Sequence, residues 1–595
     1  MTTPTFTSHL QTFNALFSRH LVESWPHWRV ALLSLVVATA LLFPANLLAN
    51  QRFHHDEALY ATWALQITSG ADPWLAHTPV DKPPLFLYTL AGAMRLFGPT
   101  ETAARIPSLL ATAISVLLTF WLGRKLYGEA VGLVAAWLMA LSPFTLLFAP
   151  TAFTDPLLVA LVLAACLAAA HHRPVLAGVM MGLAIATKQQ GVFFVPLVLT
   201  LLIYDLRFTI YDLRFTIYDL RFTIYASRIT FHVSRFTLGL LFTLLPVLIW
   251  NLTRSQAPDF LTYSLSNYGG LTGDAASFGE RWWGFVELLQ YGTASPLLNG
   301  IFGVGLPVLL GYGFWTGNAT GDRRPKTGDE FQPLSHRYPA GGAQNLNNLP
   351  TFQPPSPAQT DWIFTLFILL FLLGHALFSF QVWDRYLLGL IPFLALLLAR
   401  ILWLPGLILA RIAQSRTTFH PRLRSEQEAQ RFFKFNFLCV FVSLWLNSWQ
   451  RLIGPIYGLA LAALLALSLA QPVQDAVNGR FPLGSHSQAL SGIEQIVAYL
   501  QGHAGANHTL YHRWLGAHWR FYLWGYPYDL QYWASPQALA AKAKPGHLIA
   551  FPSWQSETEA RLALAGVGLE LKELTRAYHP AGYPSIVLYE IVRSR

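Results

Sequence analysis

The chain has 595 residues, 53% of them hydrophobic and only 12% charged, and a mean hydropathy of +0.39. A soluble globular domain carries roughly twice that charged fraction, so the composition excludes that class and indicates a polytopic membrane protein. The net charge of +10 comes from Arg and Lys scattered between apolar runs. That distribution fits basic inner loops and excludes a contiguous nucleic-acid footprint. Cys166 and Cys439 both lie in apolar segments, with no disulfide framework and no metal spacing.

Residues 1–29 are polar, carry Arg19, His20 and Arg29, and are placed in the cytoplasm. The apolar run 31–48 is about 27 Å long as a helix, enough to cross a hydrocarbon core. The N-terminus shows no short apolar region with an A-x-A cleavage site, so the run reads as a retained helix. Residues 50–103 then form the first extracytoplasmic loop, with two expected helices, 57–68 and 83–97, lying along the membrane surface. Asp56 and Glu57 emerge as the chain leaves the membrane, and Asp81-Lys82 precedes its return. Charges at that boundary are costly unless solvated, paired or used.

Spans are expected at 108–122, 130–148, 157–170, 175–186 and 192–203, with Arg124-Lys125 and His171-His172-Arg173 at inner turns. Thr154-Asp155-Pro156 and Thr187-Lys188-Gln189 then fall on the outer face. Residues 203–237 hold an internal repeat, IYDLRFT three times and two variants, read as a duplicated insertion in a cytoplasmic loop. The sequence continues with a span at 238–250, an aromatic outer loop at 251–295, a span at 296–315 and a Pro/Gly-rich loop at 316–360. Spans at 361–380 and 386–402 flank a short outer turn, QVWDR, that contains Arg385. Residues 404–474 are a basic stretch followed by apolar runs at 435–449 and 453–470. If the second run alone crosses, the C-terminal part is outside; if both cross, it is inside. We place it outside. Residues 475–595 alternate expected strands (508–511, 547–551, 585–590) with expected helices (491–501, 536–543, 556–565), a small α/β domain.

Each charged residue at the outer mouth has a functional and a structural reading. Asp56 is a general base, or it caps the helix that begins at Glu57. Glu57 is a second acid of the site, or a carboxylate favoured by the helix dipole. Asp155 is another outer acid at a helix start. Lys82, Lys188 and Arg385 are outer cations against the positive-inside trend, which suits a phosphate ligand; snorkelling or pairing with a neighbour such as Asp81 is the alternative. Arg105 pairs with an acid of the first loop or snorkels. His54-His55 has no further ligand at a diagnostic spacing, so no metal is assigned.

Taken in order, Asp56-Glu57, Asp81-Lys82-Pro83-Pro84-Leu85, Arg105-Ile106-Pro107, Thr154-Asp155-Pro156, Thr187-Lys188 and Arg385-Tyr386 resemble the GT-C glycosyltransferases, in the branch of the protein O-mannosyltransferases and the aminoarabinose–lipid A transferases. The resemblance is specific over 31–191 and returns at 383–400. It implies an α-helical polytopic membrane protein of GT-C fold, with roughly eleven to thirteen spans. In this scheme residues 30–403 form the catalytic membrane domain, followed by the small C-terminal α/β domain. It also implies transfer of a sugar from a polyprenyl-phosphate donor to a cell-envelope acceptor at the outer face of the cell membrane. Asp56, Asp155 and Glu57 would be the acids of the site. Lys82, Arg385, Tyr386 and Lys188 would meet the donor phosphate, with Asp81 and Arg105 in support. The family varies in its use of a divalent cation, so no cofactor is assigned. A transporter and a non-catalytic envelope-assembly scaffold are the rival readings. A transporter would place its charges near the bilayer midplane, and a scaffold would tolerate loss of Asp56.

Overall fold

A computed structural model describes residues 26–48, 52–204, 220–254, 256–267, 276–321, 355–378, 380–417, 456–484, 490–503, 508–579 and 581–594. Most of the N-terminal segment, the first repeats at 205–219, most of the Pro/Gly-rich loop and the apolar run 435–449 lie outside those residues. Among the described residues six helices are long and apolar enough to cross a membrane, and six shorter apolar helices accompany them. The protein is a polytopic membrane protein.

The chain enters through α1 (Pro26–Leu48) and passes to α2 (His55–Ser69) and α3 (Pro84–Phe97). The start of α2 is fixed by its sequence: His54 Nδ1 accepts from the Asp56 N–H, and Glu57 reaches back to the His54 N–H at 2.8 Å. Gly70 ends it in the left-handed region at φ 79°. The cap is therefore His54, not Asp56, and the Asp56 carboxylate has no capping duty. Pro83 and Pro84 start α3, where a missing N–H does no harm.

The membrane core follows as α4 (Glu101–Leu126), α5 (Glu129–Ala140), α6 (Pro143–Phe148), α7 (Asp155–Ala170), α8 (Pro174–Thr187) and α9 (Val195–Ile203). Helix α4 starts earlier than expected, capped by Thr100, and so carries Arg105 within its second turn. The segment 189–194 before α9 is a 3₁₀ turn rather than the start of an α-helix. A long helix, α10 (Leu220–Thr253), takes in the last repeats and the span in one piece. The tract read as an insertion to residue 237 is therefore helical from residue 220. A period of seven is nearly two helical turns, so the tract can continue the helix instead of interrupting it. Small residues let α8 and α10 touch backbone to backbone. A Cβ built on Gly178 would lie 1.9 Å from the Phe236 carbonyl oxygen, and one on Gly239 2.3 Å from that of Val175.

The aromatic loop at 251–295 is helical over part of its described residues. It contains α11 (Phe260–Asn267) and α12 (Phe278–Leu289), where Phe278, Trp282 and Phe285 recur at helical spacing. Then come α13 (Pro296–Gly321), α14 (Pro357–Leu377), a 3₁₀ turn over Asp384–Leu390, α15 (Ile391–Thr417) and α16 (Ile456–Val477). Asp361 and Arg400 join α14 to α15 through a buried ion pair of 3.6 Å.

The C-terminal domain is α17 (Ile493–Gly502), β1 (His508–His512), α18 (Gly516–Tyr522), β2 (Tyr528–Tyr532), α19 (Pro536–Lys542), β3 (Leu548–Pro552), α20 (Thr558–Ala565), β4 (Leu569–Tyr578) and β5 (Pro584–Arg593). The sheet order is β2-β1-β3-β5-β4, with β2, β1 and β3 parallel and β3, β5 and β4 antiparallel. The three expected strands and three expected helices are present; β2, β4 and α18 are additions. Helix α18 is the one that docks the domain onto the segment around α2. Thr62 Oγ1 donates to the Ala517 carbonyl at 3.1 Å, His518 Nε2 lies 2.9 Å from the Phe53 carbonyl, and Phe521 meets Phe53 edge to face. The domain therefore lies on the same side as Asp56.

Candidate active site

The N-terminus of α2, the turn before α3, the starts of α7 and of the 3₁₀ turn at 189–194, and the Asp384–Leu390 turn meet at one end of the helix bundle. The turn before α3 brings two opposite charges that pair locally, and each of the other elements brings one that pairs across the chain. Asp56 bonds Arg385 Nη1 through Oδ2, Lys82 Nζ reaches Asp81 at 2.9 Å, and Lys188 Nζ reaches Asp155 at 2.6 Å. The pairs also act on one another. Lys82 feels Arg385 and Asp56, and Lys188 feels Arg385 and Lys82. Six residues scattered over more than 300 positions of sequence thus form a single electrostatic cluster.

Aromatic rings frame it. Arg385 lies over Phe153 at 5.4 Å and over Trp383 at 5.0 Å, Lys188 over Tyr386 at 4.8 Å, and Lys82 over Tyr60 at 5.8 Å. Arg385 Nε is buried with no hydrogen-bond partner among the described residues. Asp56 is the site carboxylate most open to the outside, its side chain 23% exposed against 3% for Asp155 and 10% for Asp81.

Burial shapes the charges outside the spans. It opposes ionisation of Asp56, but the Arg385 guanidinium, backed by His54 and Lys82, holds that carboxyl down at about 2. Burial pulls Lys82 below its ordinary value against the charge of Asp81. It pulls Lys188 down to about 8 against that of Asp155.

Glu57 stands apart from the cluster. Arg105 grips it with two bonds of 3.0 and 3.1 Å, the Ala152 N–H donates to Oε1 at 2.7 Å and the His54 N–H to Oε2. Both carboxylate oxygens are occupied, and the effect is to pin α2 to α4 and to the segment before α7. Arg105 is therefore paired to an acid of the first loop, the first of its two alternatives.

Three supporting residues escaped the sequence reading. Asp384 accepts from the Arg385 N–H at 2.7 Å and from the Gly484 N–H at 2.8 Å, tying the Arg385 turn to the chain after α16. Gln189 donates to the Asp81 carbonyl at 2.7 Å. Arg254 donates to the Leu75 and Thr78 carbonyls at 2.9 and 2.7 Å and so holds the long first loop. Asp384 and Gln189 each adjoin a residue already singled out, which was the available signal; Arg254 had none. Among the described residues no group of three or more His, Cys, Asp or Glu gathers to hold a metal ion.

Residues 81–218 match the family described as dolichyl-phosphate-mannose-protein mannosyltransferase. That stretch contains Lys82, Arg105, Asp155 and Lys188 but neither Asp56 nor Arg385. No curated protein matches the chain. Among solved structures, ArnT from Cupriavidus metallidurans in the apo state superposes with a TM-score of 0.57 at 16% identity, over 95% of this chain and 98% of that one. The same protein bound to undecaprenyl phosphate gives 0.55 at 16% identity, over 94% and 98%. The Archaeoglobus fulgidus oligosaccharyltransferase in the apo form gives 0.47 at 12% identity, over 92% and 70%. The expectation from the ordered motifs holds: the chain has the fold of the GT-C glycosyltransferases and resembles their ArnT and protein O-mannosyltransferase branch.

Proposed function

We propose that the protein is a glycosyltransferase that moves a sugar from a polyprenyl-phosphate donor to a cell-envelope acceptor, a protein, lipid or glycan, on the extracytoplasmic face of the cell membrane. The observation that carries this reading is the partly exposed Asp56 carboxylate set among three buried cations, Arg385, Lys82 and Lys188. The match at low identity to a structure bound to undecaprenyl phosphate supports the donor class.

The chemistry follows from the charges. The anomeric C–O bond breaks and the polyprenyl phosphate leaves with the electron pair. The developing charge falls among Lys82, Lys188 and the unpartnered Arg385 Nε. The acceptor hydroxyl oxygen forms the new bond from the opposite side of the sugar, and its proton passes to Asp56. Arg385 couples the two events. In the free protein its charge makes Asp56 a weak base, and an incoming phosphate shares that charge and raises the basicity of the carboxylate where it is needed. Asp155 orients Lys188, Asp81 orients Lys82, and Tyr386 supports Lys188 from below. Glu57 and Arg105 position α2. A single displacement inverts the anomeric configuration.

The test is glycosyl transfer by purified protein given a panel of polyprenyl-phosphate hexoses and pentoses. Asp56→Asn lowers turnover by roughly 10²–10⁴-fold while the protein stays folded. Turnover unchanged by that substitution would move the base elsewhere, and a product of retained configuration would rule out the single displacement. No transfer from any donor to any envelope acceptor would leave the transporter and scaffold readings in its place.

A further inference from the structure

The C-terminal domain carries a second cleft, which the charge cluster at Asp56 does not use. Its three parallel strands lie in the order β2-β1-β3, so the chain leaves β1 to one side for β2 and returns on the other side for β3. Where strand order reverses, the loops leaving the carboxyl ends splay apart and leave a crevice, the usual ligand position in such sheets. Here each strand delivers a tryptophan to that crevice. Trp514 follows β1, Trp533 follows β2 and Trp554 follows β3. They line a cleft of about 400 Å³, the size of a small-molecule site.

The lining is aromatic and partly open to solvent. Trp514 and Trp554 are 52% and 54% exposed, whereas large rings are mostly covered in a finished fold. Trp533 forms the floor, and the Arg513 guanidinium lies over it at 5.2 Å and over Trp514 at 5.9 Å. Gln555, also lining the cleft, has both amide atoms withdrawn from solvent with no partner among the described residues, and Trp533 Nε1 is in the same condition. Buried polar groups normally find partners, so these three atoms await one.

Flat apolar rings beside an amide that donates and accepts side by side are the complement of a pyranose. Such a sugar has an apolar face of C–H bonds and an edge of hydroxyls that each donate and accept. Glu559 at the rim disfavours an anion, and Arg513 is already engaged by two rings. We propose that this cleft binds a neutral saccharide. Helix α18 begins three residues after Arg513 and packs on α2, so the cleft and the Asp56 cluster share one short connection. The proposal does not rest on the transfer reaction, and it is read by binding alone.

The experiment uses the full chain in a detergent without a sugar headgroup. Calorimetry and tryptophan fluorescence follow titration with mannotetraose, cellotetraose, maltotetraose and chitotetraose. At least one binds saturably, and Trp554→Ala and Gln555→Leu each weaken it by roughly tenfold or more. Both positions are surface-accessible or unpartnered, so the melting temperature stays near wild type. Absence of saturable binding by all four sugars would overturn the proposal. So would binding that both variants leave unchanged, or a fluorescence response to inorganic phosphate and to no saccharide.

Discussion

Asp56 sits one residue inside a helix whose cap is the unusual His54, and that displacement decides its use. Because His54 and Glu57 satisfy the first turn between them, the Asp56 carboxylate turns to Arg385 instead. Lys188 is the residue whose protonation can be tested directly. Burial holds it at about 8, so it is charged at neutral pH and loses its charge as pH rises through that value. Under the proposed role of Lys188 at the leaving phosphate, kcat/KM then has an alkaline limb near pH 8, falling about tenfold per unit. Lys188→Arg, which stays charged, moves that limb upward. A limb that does not move assigns the titration to another group.

The elements that place these residues depend on close backbone approach as much as on apolar burial. Helices α8 and α10 meet through Gly178, Gly182 and Gly239, and Lys188 hangs from the end of α8. Gly178→Val forces the helices apart at a contact with no room for a Cβ, and overpacking of that kind costs roughly 1–3 kcal/mol. The expected result is a lower melting temperature together with weakened donor turnover. Gly300 in α13 meets nothing within 4 Å and is the control. Gly300→Ala leaves stability unchanged or raises it by up to about 1 kcal/mol. Equal effects of both changes on the melting temperature would show that the close approach does not matter.

Across the whole molecule, the C-terminal domain is fastened to the 52–62 segment around His518. Burial keeps this imidazole neutral, pulling it down to about 3, and its Nε2 faces the Phe53 carbonyl. His54, nearby, is lowered by burial as well. The unfolded imidazole titrates near 6.5, so the unfolded state binds more protons between about 6.5 and 3. The stability contributed by neutral His518 is full above pH 6.5 and is lost as pH falls below it, by roughly 1 kcal/mol per unit. Protection factors of amides in α18 and the 52–62 segment, taken relative to the intrinsic exchange rate at each pH, should therefore fall as pH drops from 7 to 5.5, and His518→Gln should flatten that dependence. Protection factors independent of pH in the wild type would show that the docking does not rest on a neutral His518.

Local patterns along the chain were enough for the membrane class, the GT-C-like order of motifs, the small C-terminal α/β domain and the identity of nearly every charge in the cluster. Those properties are local: apolar run length, Pro and Gly at helix ends, and charges placed where a boundary makes them costly. The tertiary structure decided which charge meets which. Asp56 faces Arg385 rather than capping its own helix, Glu57 and Arg105 serve the scaffold, and Arg254 holds the first loop from far along the chain. It also decided that the last repeats continue a helix and that α18 docks beside Asp56. Pairings of this kind join residues separated by tens to hundreds of positions, and no local pattern records the distance that folding removes.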